Sequence, residues 1–395
     1  MSDNHDFAPT VLLGVNSPQT PQLSDPPPPR TPPPFNPPPS PPASSFPSDS
    51  GEASGPERLI FTGTGGEYFR IWIVNLFLNI LTLGIYSAWA KVRKMRYFYD
   101  STHLAGSSFE YHGKPSAILK GRLIAGGLLV AYNFVPKVSI KAGYAMMLLL
   151  AVVMPWLIWK SLQFKLHNSS YRGIRFGFDG TCGRAYKVYM LYPFLSALTF
   201  GLLTPFTHQR IKKFQHDESR YGTSPFSFHA SVKNFYGAYF LAFVIFVVGM
   251  LALTFLGGAF GSSILKSAAN TKGKQAVFGI LMAFVIFAWG QMVYSIFMTM
   301  LQNLIWNNTQ LGDHAFTSDM KGTSVMYIAL TNILFIALTL GLYTPFAKVR
   351  MLKYRVESMT LIPSGNLDGF VANTAAEVSA TSEGVTDLLD FDFAL

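Results

Sequence analysis

The chain has 395 residues, of which 49% are hydrophobic and only 13% charged. Soluble domains carry about a quarter charged residues, so this balance excludes an ordinary soluble domain and points to a membrane protein. The net charge of +10 comes from Lys and Arg flanking apolar runs, where they set topology and meet anionic headgroups; with no motif of a nucleic-acid-binding fold, nucleic acid is excluded as a partner.

Residues 1–57 hold 17 of the 25 prolines. Proline lacks a backbone donor and the stretch has little apolar surface to bury, so a disordered cytoplasmic tail with polyproline-II character is expected. It has no basic segment followed by an apolar one, so it is not a signal peptide. It reads as a solvated tail, or as a ligand for an SH3-like protein partner.

From Arg58 a membrane domain is expected, running to residue 360. A strand-like piece, Leu59-Ile-Phe-Thr62, leads through Gly63-Thr-Gly-Gly66 into the apolar run Tyr68–Leu83. That run ends in Thr82-Leu-Gly-Ile-Tyr-Ser-Ala-Trp-Ala-Lys-Val-Arg93. The segment returns as Thr199-Phe-Gly-Leu-Leu-Thr-Pro-Phe-Thr-His-Gln-Arg210, and again as Thr339-Leu-Gly-Leu-Tyr-Thr-Pro-Phe-Ala-Lys-Val-Arg350. From Leu59, Phe176 and Phe316 to the repeated Thr is 23 residues each time, which implies internal repeats over about 58–105, 175–220 and 315–358. A second pattern follows the basic segments: a polar turn, a Gly, then alternation through Phe109, Phe176, Phe226 and Phe316. Period-two alternation bounded by turn residues reads as short strands beside the membrane.

These residues carry a resemblance. Phe61-x-Gly63, Tyr68-Phe69, Asn75, Thr82-Leu-Gly-Ile-Tyr-x-x-Trp-Ala90 and Phe109-x-Tyr111 together resemble the YjgN family of bacterial inner-membrane proteins, a domain of unknown function, over about residues 58–360. The resemblance implies a multi-pass inner-membrane location in a Gram-negative bacterium. It brings no reaction and no site residues, and the Pro-rich N-terminus lies outside it.

Seven hydrophobic segments follow: Tyr68–Trp89, Ile118–Val135, Ala142–Trp159, Ala185–Phe206, Ala238–Phe260, Ala276–Ile296 and Val325–Phe346. Two arrangements stay open. If all seven cross, the basic ends Lys91-Val-Arg-Lys94 and Arg210-Ile-Lys-Lys213 face opposite compartments. If instead every polar turn is cytoplasmic, 23 of the 31 Lys and Arg fall on that side, as positive-inside charge bias requires. The repeated segments then become re-entrant hairpins broken at Gly84, Gly201 and Gly341, Ser87, Thr204 and Thr344 cap the second arm, and both termini are cytoplasmic. The expected fold is an all-α polytopic membrane protein with internally repeated helical hairpins, spanning helix pairs and short juxtamembrane strands.

Chemistry is sparse. Gly63-Thr-Gly-Gly66 lacks the Lys-Ser/Thr of a P-loop and reads as a turn. The histidines do not form His-Glu-x-x-His, the lone Cys182 reads as a packing residue, and no nucleophile elbow is present. No enzyme, cofactor or metal is expected. Asn75, Asn133, Gln291 and Asn332 are candidate intramembrane polar contacts, either interhelical hydrogen bonds or substrate contacts. No Asp or Glu lies in a spanning segment, which disfavours a proton- or cation-coupled transporter. Candidate headgroup contacts are Lys91, Arg93, Lys94, Arg96, Arg210, Lys212, Lys213, Lys348, Arg350 and Lys353, because basic helices rich in aromatics suit the headgroup layer. Residues 361–395 read as an acidic, disordered tail in which Asp387-Leu-Leu-Asp-Phe-Asp-Phe393 is a second candidate for docking a protein partner. The leading function is a non-enzymatic envelope component engaging anionic lipid or a protein; the alternative is a transporter or channel lined by Asn133 and Gln291.

Overall fold

Alternating residues form strands only when their backbone groups find partners, and here every short alternating piece does. In the computed structural model, which describes residues 55–267 and 272–382, the chain opens with β1 (Glu57–Arg58) and β2 (Ile60–Phe61). It continues through α1 (Gly65–Leu81), α2 (Ser87–Asp100), β3 (Thr102–Leu104), β4 (Ser107–Tyr111), α3 (Pro115–Val138), α4 (Ile140–His167), β5 (Ser169–Tyr171) and β6 (Ile174–Phe178). Then come α5 (Cys182–Tyr186), a π-helical stretch Lys187–Leu191, α6 (Tyr192–Leu198), α7 (Thr204–Asp217), β7 (Ser219–Tyr221), β8 (Ser224–Phe228), α8 (Val232–Ser267) and α9 (Lys272–Trp306). Last are β9 (Thr309–Leu311), β10 (His314–Ser318), α10 (Gly322–Leu338), α11 (Thr344–Glu357), β11 (Met359–Ile362) and α12 (Leu367–Ser382).

All eleven strands belong to one antiparallel sheet, in the order β1-β11-β10-β9-β8-β7-β6-β5-β4-β3-β2. Its two end strands, β1 and β2, are separated by Leu59 alone, whose N–H donates to the Met359 carbonyl at 3.0 Å. The sheet therefore comes round on itself as a near-barrel, and the all-α expectation is corrected. The strands are two to five residues long, and the pair that closes the ring, Arg58 opposite Thr360, joins pieces about 300 residues apart. Local periodicity shows the pieces and is blind to that closure.

The wall is built of hairpins. Two-residue turns need left-handed backbone to match strand twist, and Ala105-Gly106 and Arg172-Gly173 supply it with φ of 44°, 75°, 48° and 79°. Four hairpins are continuous in the chain; a fifth is assembled from β11 and the β1–β2 stretch. Phe109, Phe176, Phe226 and Phe316 hold the same register position, and their rings stack round the wall at 6.4, 6.4 and 6.2 Å between centroids. Leu59 holds that position on the fifth. With Leu104, Tyr171, Tyr221, Leu311 and Leu361 from the companion strands they form a single core inside the ring.

The helices follow the same ring. Each packs on its neighbours in chain order, and α11 packs on α1. Every helical pair leaves the sheet and returns to it, so each pair begins and ends on one side. Seven alternating crossings would place hydrogen-bonded strands on opposite sides of a bilayer, which the sheet forbids. Among the described residues four helices are long and apolar enough to cross a membrane: Pro115–Val138, Ile140–His167, Val232–Ala259 and Gln275–Trp306. α1 and α10 have 17 residues each, about 25 Å at the helical rise, less than a hydrocarbon core of about 30 Å.

The elbows explain the repeated Thr-x-Gly. Helix α1 ends in a Schellman motif, with Gly84 N–H donating to Asn79 O at 2.8 Å and Leu83 N–H to Ile80 O at 3.2 Å. Gly201 and Gly341 make the same bond to Ser196 and Ile336, each at 2.8 Å. The Thr82 hydroxyl donates to Leu78 O and accepts from Tyr86 N–H at 3.0 Å. Thr199 and Thr339 repeat this with Leu203 and Tyr343. The threonine thus caps the second arm from inside the first. Ser87, Thr204 and Thr344 are helical residues, and no side chain caps α2, α7 or α11 at the preceding position. At the tips Leu83, Phe200 and Leu340 are 94%, 99% and 94% exposed.

Beyond residue 361, expected to lack regular structure, β11 completes the ring and α12 packs on its core with Leu367 buried. The Pro-rich stretch 1–54 and the Asp387–Phe393 peptide lie outside the described residues.

Candidate functional site

Five helices lead into the first strand of a hairpin: α2, α4, α7, α9 and α11. On α7 and α11, residues three or four apart share one helical face, and that spacing joins His208, Lys212 and Gln215, or Lys348, Leu352 and Arg355. The electrostatics place these faces together. Burial lowers the pKa of Lys91, and the charges of Arg122, Lys165 and Lys94 lower it further. Burial likewise lowers Lys212, helped by Lys165 and Arg355. Lys94 is lowered by burial and by Lys348. Cations from α2, α3, α4, α7 and α11 therefore act on one another, and the charges that shift Lys94 and Lys212 are positive.

Amides of α7 and α9 meet this cluster, and Asp217 acts on His216 at its edge. Arg355 Nε donates to Gln302 Oε1 at 2.7 Å, and Gln302 Nε2 donates to Arg355 O at 3.2 Å. Lys212 Nζ donates to Gln215 Oε1 at 3.2 Å. Burial, then Lys212, push His216 down to about 4. His208, whose Nδ1 lies 2.9 Å from the Tyr239 hydroxyl, is pushed to about 4 by the same causes.

The remaining sequence-derived cations point elsewhere. Lys213 pairs with Asp217 at 2.7 Å and Lys353 with Glu357 at 3.8 Å. Arg210 lies over the Phe206 ring, and Arg350 over Tyr327 while donating to Thr331 Oγ1 at 2.7 Å. Arg93 and Arg96 are exposed. Of the ten candidates, Lys91, Lys94, Lys212 and Lys348 join the cluster. Sequence reasoning missed Lys165, Gln302 and Arg122 as members. Counting helical turns back from each first strand would have found the first two, because Lys165 and Arg355 both stand four residues before it, and Lys212 and Gln302 seven.

Beside the cluster, inside the ring of strands, is a cavity of about 430 Å³. Phe109, Tyr171, Phe176, Tyr221, Phe226 and Phe316 wall it. Lys165, Gln215, His216 and Trp306 line its helix end. At the turn end Leu367, Phe370 and Val371 of α12 close it. Helix α12 is held by Arg172 pairing with Asp368, and the loop before it by Ser364 N–H donating to His314 Nδ1 at 3.1 Å.

The intramembrane polar candidates do not converge. Asn332 Nδ2 donates across its own hairpin to Ala347 O at 3.2 Å. Asn75 is buried at the matching place on α1. Asn133 is exposed and donates to Leu129 O of its own helix at 2.8 Å, and Gln291 sits on the other long pair. In Gly63-Thr-Gly-Gly66, Thr64 and Glu67 form a capping box, and a Cβ at Gly65 would fall 2.5 Å from the Phe346 ring, so close packing accounts for that glycine. Among the described residues no group of His, Cys, Asp and Glu is arranged to hold a metal.

The profile of the family described as "Bacterial protein of unknown function (DUF898)" matches residues 56–388. The "Inner membrane protein YjgN" of Salmonella typhimurium is 25% identical over 353 residues, covering 78% of this chain and 89% of the relative. The protein of that name from Escherichia coli K12 is 32% identical over 148 residues, 36% of each chain. No solved structure matches the chain.

Proposed function

The chain belongs to this DUF898 family, which includes the YjgN proteins, and from that premise we propose that it is a non-enzymatic inner-membrane protein that engages anionic lipid headgroups. The observation that carries the reading is the gathering of Lys91, Lys94, Lys165, Lys212 and Arg355, in which the charges that shift Lys94 and Lys212 are positive. Gathering like charges in a half-buried place is costly unless an opposite charge offsets them, and at a membrane surface the abundant anion is the headgroup. The sheet and both ends of every helical pair lie on the cytoplasmic side, because Lys and Arg near spans favour that side. The tips at Leu83, Phe200 and Leu340 then dip into the hydrocarbon edge. Spin-labelled phosphatidylglycerol in vesicles containing the protein tests the reading. The immobilised fraction should exceed that of phosphatidylcholine, and Lys91→Gln with Lys212→Gln should remove the excess with folding intact. Equal immobilisation of the two lipids would overturn it.

A further inference from the structure

We propose that the barrel interior is a binding site for a single-chain amphiphilic anion, its apolar tail among the aromatic rings and its acidic head at Lys165, Lys212 and Arg355. The headgroup half rests on the preceding reading; the tail half stands on the cavity alone. Clefts or cavities of about 300–1,000 Å³, mostly apolar with a few polar groups at one place, are typical of small-molecule sites. This cavity has about 430 Å³ and that distribution. Its wall is aromatic and aliphatic all round, so it offers a tail dispersion contacts and almost no hydrogen bonds. Its polar groups are gathered at the helix end, where Lys165 lines the cavity and also acts on Lys212 and Lys91. A neutral apolar ligand would leave Lys165 and Lys212 uncompensated, and a small inorganic anion would leave the aromatic chamber empty. A fatty acid or a single-chain lipid phosphate satisfies both ends.

The helix end is also the end facing the bilayer, since α4 and α9, which bring Lys165 and Trp306, are two of the four helices long enough to span. Arrival from the membrane needs no opening of α12, which closes the opposite end.

Trp306 reports occupancy directly. The full chain, carrying Trp306 as its sole tryptophan with the other five changed to Phe, is placed in phosphatidylcholine nanodiscs and titrated with dibromostearic acid. Saturable quenching is expected, with at least tenfold weaker quenching by dibromostearyl alcohol. Lys165→Gln with Arg355→Gln should weaken the acid about tenfold and leave the alcohol unchanged. Leu104→Phe with Leu361→Phe fills the chamber and should abolish quenching while leaving phosphatidylglycerol immobilisation intact, which separates failure of this site from failure of the headgroup reading. Native mass spectrometry of the unaltered protein with stearic acid gives a second measurement, expected to show a one-to-one adduct, which does not depend on the tryptophan variants folding. Octanoic acid should bind far more weakly than stearic acid. Absence of the adduct, or non-saturating quenching equal for acid and alcohol, would overturn the proposal. Displacement of the acid by inorganic phosphate together with an undiminished adduct in the filled variant would place the ligand outside the barrel.

Discussion

The molecule makes helical pairs of two kinds from the same starting points on one ring. The pairs α3–α4 and α8–α9 are long: 24, 28, 36 and 35 residues. The pairs α1–α2, α5/α6–α7 and α10–α11 turn back at Thr-x-Gly, and their second arms have 14 residues each. The difference shows how one sheet can carry both spanning helices and helices too short to span. The long pairs carry their apolar surface along the whole length and meet through close packing. The short pairs put their polarity on the returning arm, whose inner face supplies most of the cationic cluster. Depth in the bilayer belongs to one kind, chemistry to the other.

Breaking the long pair should have the largest effect. A Cβ at Gly249 of α8 would fall 1.9 Å from the Trp289 ring of α9. Gly249→Val should lower thermal stability by the equivalent of about 3 kcal/mol, at the upper end of overpacking costs, and adding Trp289→Leu should recover part of it. The elbows are next. Gly341 has φ of +95° and no atom within 4 Å of an added Cβ, so Gly341→Ala should cost about 1–2 kcal/mol through backbone conformation alone. The same change at Gly290, a helical glycine with open space, should be near neutral or slightly stabilising. Unfolding followed by tryptophan fluorescence in detergent measures all three. If Gly341→Ala is neutral, the left-handed elbow is not required.

Thr339→Val removes one hydroxyl that donates to Phe335 O and accepts from Tyr343 N–H, and about 1 kcal/mol should be lost. The most gradual effect is with pH. His208 and His216 on α7 titrate near 4 when folded, against 6.5 for an unperturbed histidine. Unfolded chains therefore take up protons first as pH falls. Stability should be full above about 6.5, decline between 6.5 and 4, and lose nothing more from these groups below that. A melting series with His216→Gln should show a shallower decline; an unchanged slope would place the acid sensitivity elsewhere.

Much of this was legible in the sequence, and the limits are instructive. The Thr-x-Gly segments stand out because an elbow depends on residues within eight positions of one another. The Phe109, Phe176, Phe226 and Phe316 pieces stand out for the same reason, as alternation over five residues. What could not be read is how they meet. The bond from Leu59 to Met359 and the field of Lys165 at Lys212 link residues far apart in the chain, and no window of sequence contains both partners. Ser87, Thr204 and Thr344 looked like caps because serine and threonine favour that position, but the hydroxyls of Thr82, Thr199 and Thr339 were already there.

The closure at Leu59 has a consequence for how the protein is made. The stretch Glu57–Phe61 emerges from the ribosome early, and β1 waits for β11, about 300 residues later. At a synthesis rate of about 5–20 residues per second, that interval lasts roughly 15–60 s. Throughout it the growing sheet is an arc with two bare edges, the kind of surface that recruits stray strands. The last turn of α11 delivers the strand that removes both edges at once. A nascent chain stalled before residue 359 should therefore remain protease-sensitive at Glu57–Phe61 and aggregation-prone, although every membrane span is already in place.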